Sequence, residues 1–303
     1  MALYRLTLRL SAPLGTPPIG PTLFGQICVL RAEAEGSQAV TDWLADPARL
    51  WRISDGLPAG FLPRPLVAPR PAGREDAAAM ETHKARKSKG LVRRETFLKR
   101  RDAWAEAALA DDDLAADQAR PHRITRNHVN RLGQGTIEEG GLFRLTEDWR
   151  FADPDRRDID LYVETAEPLD HVRALVGMLG AQGYGRGASL GRGLWQVVAA
   201  AEDAELGNHP GPRRLSLSRG VIDPGTMGDA LWRAEPLAGR LGPQLSLAGV
   251  SPFKRPVLLT RPGATFTPAG PGPWGRLLSG VHPARPEVVV NALHLAIPFA
   301  EAA

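Results

Sequence analysis

The stretch GYGRGASLGRGLWQVVAA (residues 183–200) decides which folds the chain can adopt. Five glycines and two arginines occupy its first eleven residues, and the rest is the kind of apolar run that forms a strand. A helical pattern precedes it, with apolar residues at Leu169, Val172, Val176 and Leu179. The predicted order is therefore helix, glycine loop, strand, which is the reverse of the order in dinucleotide-binding folds.

The beginning of the chain supplies the first strand of the same unit. In MALYRLTLRL (residues 1–10) apolar and polar residues alternate, which is typical of a strand with one buried and one solvated face. The loop SAPLGTPPIG (residues 11–20) follows, and Pro21 is suited to the first turn of a helix that buries Leu23 and Ile27. The chain thus begins with strand, loop and helix.

The middle of the chain predicts the remaining strands. GLFRLTEDW (residues 141–149) and DIDLYVE (residues 158–164) alternate in polarity and flank the turn DPDRRD (residues 153–158), a pattern that predicts a β-hairpin. Residues 51–67 mix apolar positions with Gly and Pro, which favours turns and a short edge element. Over residues 1–201 the order is βαββαβ, that of a ferredoxin-like unit.

Composition divides the chain into domains. Residues 69–122 are polar and highly charged, which predicts an insertion that is partly helical and partly mobile. After the linker ELGNHPGPRR (residues 205–214), short strand-like runs alternate with Gly and Pro turns. The sequence predicts an α+β protein with an N-terminal domain over residues 1–204, which contains the insertion, and a smaller β-rich C-terminal domain over residues 205–303.

The overall composition excludes several classes of protein. Of 303 residues 43% are hydrophobic, yet no run approaches the roughly 18 apolar residues that cross a membrane. The first residues lack the apolar block of a secretory signal. Cys28 is the single cysteine, which excludes an internal disulfide and a cysteine-built zinc site and favours the cytoplasm.

Charge is segregated along the chain although the net charge is only +4. Residues 84–101 carry nine basic side chains against one acidic, whereas residues 102–117 carry six acidic and none basic. Such a basic run is suited to phosphate contacts, and a solvated helix is the alternative. The RNA-binding candidates in this run are Lys84, Arg86, Lys87, Lys89, Arg93 and Arg94.

The glycine loop is the second candidate for binding phosphates. Glycines let a backbone approach a ligand, and neighbouring arginines bring positive charge to it, whereas a flexible connector is the alternative. No Lys-Ser or Lys-Thr pair follows, so the loop is not a Walker A motif. Its candidate residues are Gly183, Gly185, Arg186, Gly187, Gly191, Arg192 and Gly193.

A third candidate lies in ITRNHVNRLGQGT (residues 124–136). Its arginines and amides can bind phosphate, ribose and base edges, although these are also ordinary loop residues. The candidate residues are Arg126, Asn127, His128, Asn130 and Arg131. The seven histidines show no metal-ligand spacing and no G-x-S-x-G elbow occurs, so we expect no metal and no cofactor, and an enzyme would depend on His128 alone.

Several separate blocks resemble one known family. They are GTPPIGPTLFGQIC (residues 15–28), SDGLPAGFLPRPLV (54–67), RNHVNRLGQGT (126–136), GYGRGASLGRGLW (183–195), FKRPVLLTRPGATF (253–266) and VVVNALHLAIPF (288–299). Together they resemble, in order, the RAMP superfamily of CRISPR proteins and, within it, the fourth subunits of the type III-A effector, the Csm complex. The blocks extend over nearly the whole chain, which makes them more specific than one glycine-rich loop.

The resemblance implies two ferredoxin-like domains with an inserted basic, thumb-like element. It implies a subunit without catalytic activity that holds the 5′ handle of the crRNA through the glycine loop and through Arg126, Asn127, Asn130 and Arg131. The implied protein partners are the large nuclease-cyclase subunit and the repeating backbone subunit. An alternative is a metal-independent endoribonuclease of the same superfamily that processes repeat RNA with His128, and the missing Walker motif disfavours another nucleotide-binding enzyme.

Overall fold

The computed structural model describes residues 1–68, 84–130, 132–133, 135–137, 141–242, 249 and 251–302. The helices are α1 Gly20–Glu35, α2 Ser37–Ala45, α3 Arg94–Arg100, α4 Leu169–Gln182 and α5 Ala204–Gly207, and residues 84–88 are also helical. The first ten strands are β1 Ala2–Leu10, β2 Arg52–Ile53, β3 Leu57–Pro58, β4 Phe61–Pro63, β5 Leu91–Arg93, β6 Leu114–Ala115, β7 Pro121–Asn127, β8 Leu142–Asp148, β9 Asp158–Thr165 and β10 Trp195–Glu202. The others are β11 Arg213–Ser216, β12 Met227–Leu231, β13 Ala234–Leu237, β14 Val257–Thr260, β15 Thr265–Pro268, β16 Gly275–Leu278, β17 Val290–Leu293 and β18 Ala296–Phe299. None of the helices among these residues has the length and apolar character needed to span a membrane.

The first sheet contains the elements that the amino-terminal pattern predicts. Its order is β10-β1-β9-β2, with β3 also paired to β9, and all pairs are antiparallel. β1, α1, β9, α4 and β10 follow the predicted order along the chain, but the strand between α1 and β9 in this sheet is β2 and not the predicted β8. One core cluster combines inward residues of β1 and β9 with the apolar faces of α1 and α4, among them Leu6, Leu8, Ile27, Val163 and Val176.

The predicted hairpin between residues 141–149 and 158–164 is wrong. β8 pairs along its whole length with β7, whereas β9 lies in the middle of the first sheet between β1 and β2. The burial of the strands explains this difference, since β9 is buried at six of its eight positions whereas β8 is buried only at Glu147. The turn at residues 153–158 therefore connects a surface ribbon to a core strand.

The charged insertion contributes to a core despite its composition. β4, β5 and β6 form a small sheet. Val92, Phe97 and Trp104 are fully buried and belong to the same cluster as Leu215 and Phe299 of the carboxyl-terminal part. Few apolar residues occur here, but they are placed where the chain packs between the other two parts. Residues 69–83, the first part of the predicted insertion, lie outside the described residues.

The carboxyl-terminal part is built from strands. One four-stranded antiparallel sheet has the order β12-β15-β11-β18, and β13-β14 and β16-β17 form two-stranded ribbons. Within residues 208–242, 249 and 251–302 there is no α-helix. A second ferredoxin-like domain needs two helices, so that prediction is not confirmed. The mixed class with helices and several small antiparallel sheets is confirmed.

Asp55, in the SDGLP block, links the first helix to the carboxyl-terminal part. The Gly20 amide at the start of α1 donates to Asp55 Oδ1 at 2.9 Å, and Arg219 Nε donates to Oδ2 at 2.9 Å. Burial raises the pKa of the Asp55 carboxyl, and Arg219 opposes that rise. Because this side chain is buried and satisfied on both oxygens, it fixes where the loop before α1 can lie.

Candidate nucleic-acid interface

The glycine loop has a conformation that requires its glycines. Positive φ angles are rarely adopted by residues with a side chain. All five glycines of the loop have them: Gly183 at 93°, Gly185 at 72°, Gly187 at 79°, Gly191 at 74° and Gly193 at 69°. The loop is therefore a series of tight turns between α4 and β10.

The glycine loop packs closely on the first loop of the chain. Gly193 N donates to Pro13 O at 2.8 Å, and Arg186 N donates to Thr16 Oγ1 at 3.0 Å. A Cβ at Gly185 would lie 2.7 Å from the Thr16 Cβ. The glycine pattern predicts close approach of a ligand, but at this position the close neighbour is the protein itself. Of the five, Gly191 has no atom within 4 Å of an added Cβ and borders open space.

The ribbon of β7 and β8 carries the second group of candidate residues. The register pairs Thr125 with Arg144 and Arg126 with Phe143. Since alternate residues of a strand point to opposite faces, the ribbon has two different faces. One face carries His122, Ile124, Arg126, Phe143, Leu145 and Glu147. The open face, as we call the other, carries Arg123, Thr125, Asn127, Leu142, Arg144 and Thr146, all of which are exposed.

Glu147 joins the glycine loop to the ribbon. Its Oε1 accepts a hydrogen bond from Arg192 Nε at 2.9 Å and from Arg126 Nη2 at 3.5 Å. Its side chain is only 3% exposed, which makes it the buried centre of this charge cluster. Arg186 Nη2 donates to the carbonyl of Thr146 at 2.6 Å. Three arginines predicted from two distant segments, Arg126, Arg186 and Arg192, thus come together.

The open face of the ribbon contains two arginines that the sequence-based candidates miss. Arg123 and Arg144 are exposed, and neither side chain makes a hydrogen bond or ion pair with the residues that the structure describes. They lie diagonally across the two strands, because Arg123 is opposite Thr146 and Arg144 is opposite Thr125. The alternation of Arg123, Thr125 and Asn127 in one strand could have indicated this polar face, but its partner strand could not be identified from sequence.

The remaining candidates of the ribbon tip have different surroundings. The His128 ring stacks on Phe143, with centroids 4.8 Å apart, and it stays exposed. Asn127 Nδ2 donates to Thr136 Oγ1 at 3.2 Å. Asn130 Oδ1 accepts from the Leu132 amide at 3.0 Å, so this side chain shapes the tip turn. Arg131 lies outside the described residues.

Part of the basic run is engaged with the acidic run, through Arg86, Lys89 and Arg93. Arg93 Nε donates to the carbonyl of Asp112 at 2.9 Å, and Lys89 Nζ donates to that of Asp111 at 3.1 Å. Arg86 donates to the Leu109 carbonyl, and Arg94 forms two hydrogen bonds with Asp203, at 2.7 and 2.9 Å. Lys84 and Lys87 are exposed. Four of the nine basic residues in this run therefore have partners within the chain.

A metal site would need several ligating side chains close together. Among the described residues no group of three His, Cys, Asp or Glu side chains is arranged to hold a metal ion. The candidate interface is instead rich in arginine, amide and hydroxyl groups. Such groups bind the phosphates and sugars of nucleic acids.

Comparison with known proteins concerns the whole chain. No family model and no curated protein matches the sequence. A crystal structure of a Csm1-Csm4 cassette with pppApA matches at 17% identity and a TM-score of 0.60, covering 99% of this chain and 98% of that one. A Csm1-Csm4 cassette with cA4 matches at 16% identity and a TM-score of 0.62, covering 98% of each chain. A Csm3-Csm4 subcomplex of the type III-A interference complex matches at 10% identity and a TM-score of 0.59, covering 99% of each chain.

The chain has a Csm4-like fold. The resemblance seen in the sequence blocks is thus confirmed as a likeness of fold over the full length. Identities of 10–17% leave the roles of individual residues as predictions.

Proposed function

We propose that the chain is a crRNA-binding subunit without catalytic activity in a type III-A CRISPR-Cas interference complex of the cytoplasm. In this function it holds the 5′ handle of the crRNA and bridges the large subunit and the backbone subunit. The likeness of fold supports the assembly part, since the matching structures are of a Csm1-Csm4 cassette and a Csm3-Csm4 subcomplex. Residues 1–204 and 205–303 are the two proposed domains.

The observation that carries the proposal is the junction of the ribbon and the glycine loop. Arg126 and Arg192 meet at Glu147, and Arg186 reaches the backbone of the same strand. Arg123 and Arg144 lie on the open face, the opposite side of the same ribbon from Glu147. The ribbon and the glycine loop together therefore have an excess of positive charge, which favours a polyanion.

The exposed groups of the β7-β8 ribbon and the glycine loop suit single-stranded RNA. Exposed Arg123, Arg144 and Arg186 can neutralise phosphates, and Asn127 can bind ribose or base edges. The exposed His128 ring, already stacked on Phe143, offers a flat surface to an unpaired base. Together these groups fix the position of the handle and hence the point at which guide pairing begins.

Binding of handle RNA over a range of salt concentrations tests the proposal. In the double variant Arg123→Ala, Arg144→Ala we expect affinity for the handle to fall roughly 30-fold, since each lost charge-assisted hydrogen bond contributes about 1 kcal/mol. The slope of log K against log salt should become shallower by about 1.4, at about 0.7 per phosphate contact in a single strand. A fluorescence anisotropy titration measures both quantities.

The control variant is Arg233→Ala, Arg276→Ala, which removes two exposed arginines of the carboxyl-terminal part. If both double variants lose affinity equally, the ribbon is not the binding surface. The same samples, incubated with repeat RNA in chelator, test the ribonuclease alternative. Specific cleavage that disappears in His128→Ala would favour the enzyme over the binding subunit.

Glu147 provides a second prediction about this surface. Its carboxylate neutralises part of the charge of Arg126 and Arg192, so Glu147→Gln should strengthen handle binding by roughly three- to tenfold and steepen the salt slope by about 0.7. Glu287→Gln, at an exposed position, makes the same charge change elsewhere and should leave both quantities unchanged. Weaker binding by Glu147→Gln at an unchanged melting temperature would instead mean that the carboxylate orients the two arginines for RNA.

A further inference from the structure

The outer edge of the first sheet is a long strand without a neighbour. β10 pairs with β1 on one side, and its other side receives no backbone hydrogen bond from the part of the chain that the structure describes. Its eight residues, WQVVAAAE, include no lysine and no proline, the residues that commonly block pairing at sheet edges. Unpaired backbone groups along such an edge form a template for another strand.

The other edges of the two larger sheets are interrupted. At the opposite edge of the first sheet, β2 and β3 have only two residues each. In the second sheet, β12 has a register shift and Asp229 with a φ of 45°, and β18 contains Pro298. These are the features that protect sheet edges from pairing. β10 has one such feature, a bulge at Val198, but with eight residues and no proline it is the longest of these edges, and within the described residues it has unpaired backbone groups on both sides of the bulge.

The ends of the β1-β10 ladder determine which backbone groups of β10 point outward. Ser11 N bonds to Leu194 O at 2.9 Å, and Asp203 N bonds to Leu3 O at 2.7 Å. Bonded and non-bonded pairs alternate inward from these two ends and meet at a bulge at Val198. The amides that point outward belong to Trp195, Val197, Ala200 and Glu202. Those that point to β1 belong to Gln196, Ala199 and Ala201.

A groove of about 430 Å³ lies beside this edge, between α4 and β10. Ala174, Gly177 and Ala181 line the side formed by the helix, and their small side chains leave room for side chains of an added strand. Asp170 and Arg173 in the same groove carry opposite charges. The groove thus lacks the excess of positive charge that an RNA backbone would need, so its chemistry fits a protein.

We propose that β10 accepts a β-strand from a neighbouring protein subunit, whose inward side chains occupy this groove. A polypeptide strand offers amides and carbonyls in the alternation that the edge requires, whereas a sugar-phosphate chain does not. The inference rests on the proposed function in one respect, namely that the donor is the large subunit or the backbone subunit of the same assembly.

Residue-resolved hydrogen exchange tests the inference. The chain is measured alone, with the large subunit, and with the backbone subunit and crRNA. In the free chain we expect the four outward amides to exchange rapidly and the three amides bonded to β1 to exchange slowly. In one of the two complexes the outward amides should slow at least about tenfold, while the three inward amides serve as the internal reference.

A matched pair of variants gives an independent measurement. Val198→Lys places a charge on the edge, where Val198 is 41% exposed, and should weaken the protein complex about tenfold. Leu258→Lys makes the same kind of change at a position that is 60% exposed on β14 and should have no effect. Both variants should keep the affinity for handle RNA.

The outcomes separate this inference from the proposed function. A complex that forms while the outward amides still exchange rapidly overturns the strand-addition proposal and leaves the function intact. Absence of any complex with either subunit, together with absence of handle binding, overturns both. Protection that appears in the chain alone and grows with its concentration would identify a second copy as the occupant and overturn the proposal of a different subunit.

Discussion

Gly193→Ala is expected to lower the melting temperature by about 6–12 °C and to abolish most handle binding. A Cβ at Gly193 would lie 2.2 Å from the carbonyl oxygen of Tyr184 and 2.6 Å from its nitrogen, both backbone atoms that cannot turn away. The positive φ of 69° adds about 1 kcal/mol for any residue with a side chain. Together the clash and the backbone strain should lower the free energy of unfolding by roughly 3 kcal/mol. Each kcal/mol lowers the melting temperature by about 2–4 °C in a chain of this size.

Gly191→Ala is the matched control for this prediction. Its φ of 74° is nearly the same, but an added Cβ meets nothing within 4 Å. Only the backbone strain of about 1 kcal/mol should therefore act in this variant, which corresponds to a fall in melting temperature of about 2–4 °C. Thermal unfolding followed by circular dichroism measures both variants. Equal shifts of the melting temperature would show that the close contact between Gly193 and the Tyr184 backbone does not matter for stability.

His294 is expected to make the protein less stable in mild acid. The ring is buried, and its Nε2 lies 3.2 Å from the Val221 carbonyl, which can only accept, so Nε2 carries the proton and Nδ1 faces Ser216 Oγ at 2.8 Å. Burial lowers the pKa of His294 from 6.5 to about 4. As the pH falls from 6.5 to 4, the unfolded chain takes up a proton that the folded chain does not, and the free energy of unfolding should fall by about 3 kcal/mol.

The measurement is chemical denaturation of the wild type and of His294→Gln between pH 7.5 and 4.5. Carboxyl groups also titrate in this range; for Asp55, whose pKa burial raises, the effect on stability has the opposite sign. The difference between the two proteins isolates the histidine. Parallel curves over the whole range would mean that the ring takes up its proton in the folded state as easily as in the unfolded one.

The secondary structure around the first sheet was predictable because its signals are local. The alternation in residues 1–10 predicts β1, and the spacing of Leu169 to Leu179 predicts α4. The glycine loop between α4 and β10 is equally visible, since a run of glycines indicates tight turns wherever it occurs. Each of these features depends on residues that are close to one another in sequence. Contacts between segments that are far apart in sequence do not alter them.

Strand partners were not predictable in the same way. Only the first two residues of β7 lie in the segment assigned to the charged insertion, and no strand was predicted for the others, so β8 was paired with the next alternating segment, β9. Which of several amphipathic strands pair depends on which faces are buried, and that is settled by contacts distant in sequence. Arg123 and Arg144 were missed for this reason, because the open face exists only once β7 and β8 are known partners.

The sequence by itself determined β1, α1, α4 and β10 of the first layer, the glycine loop, the segregation of charge and the resemblance to RAMP subunits. Tertiary structure alone decided that Arg126 and Arg192 share Glu147, that Arg86, Lys89 and Arg93 contact the acidic run, and that β10 has no second partner strand among the described residues. The physical reason is that backbone conformation and periodicity are local properties, whereas ion pairs and sheet edges depend on which distant segments meet.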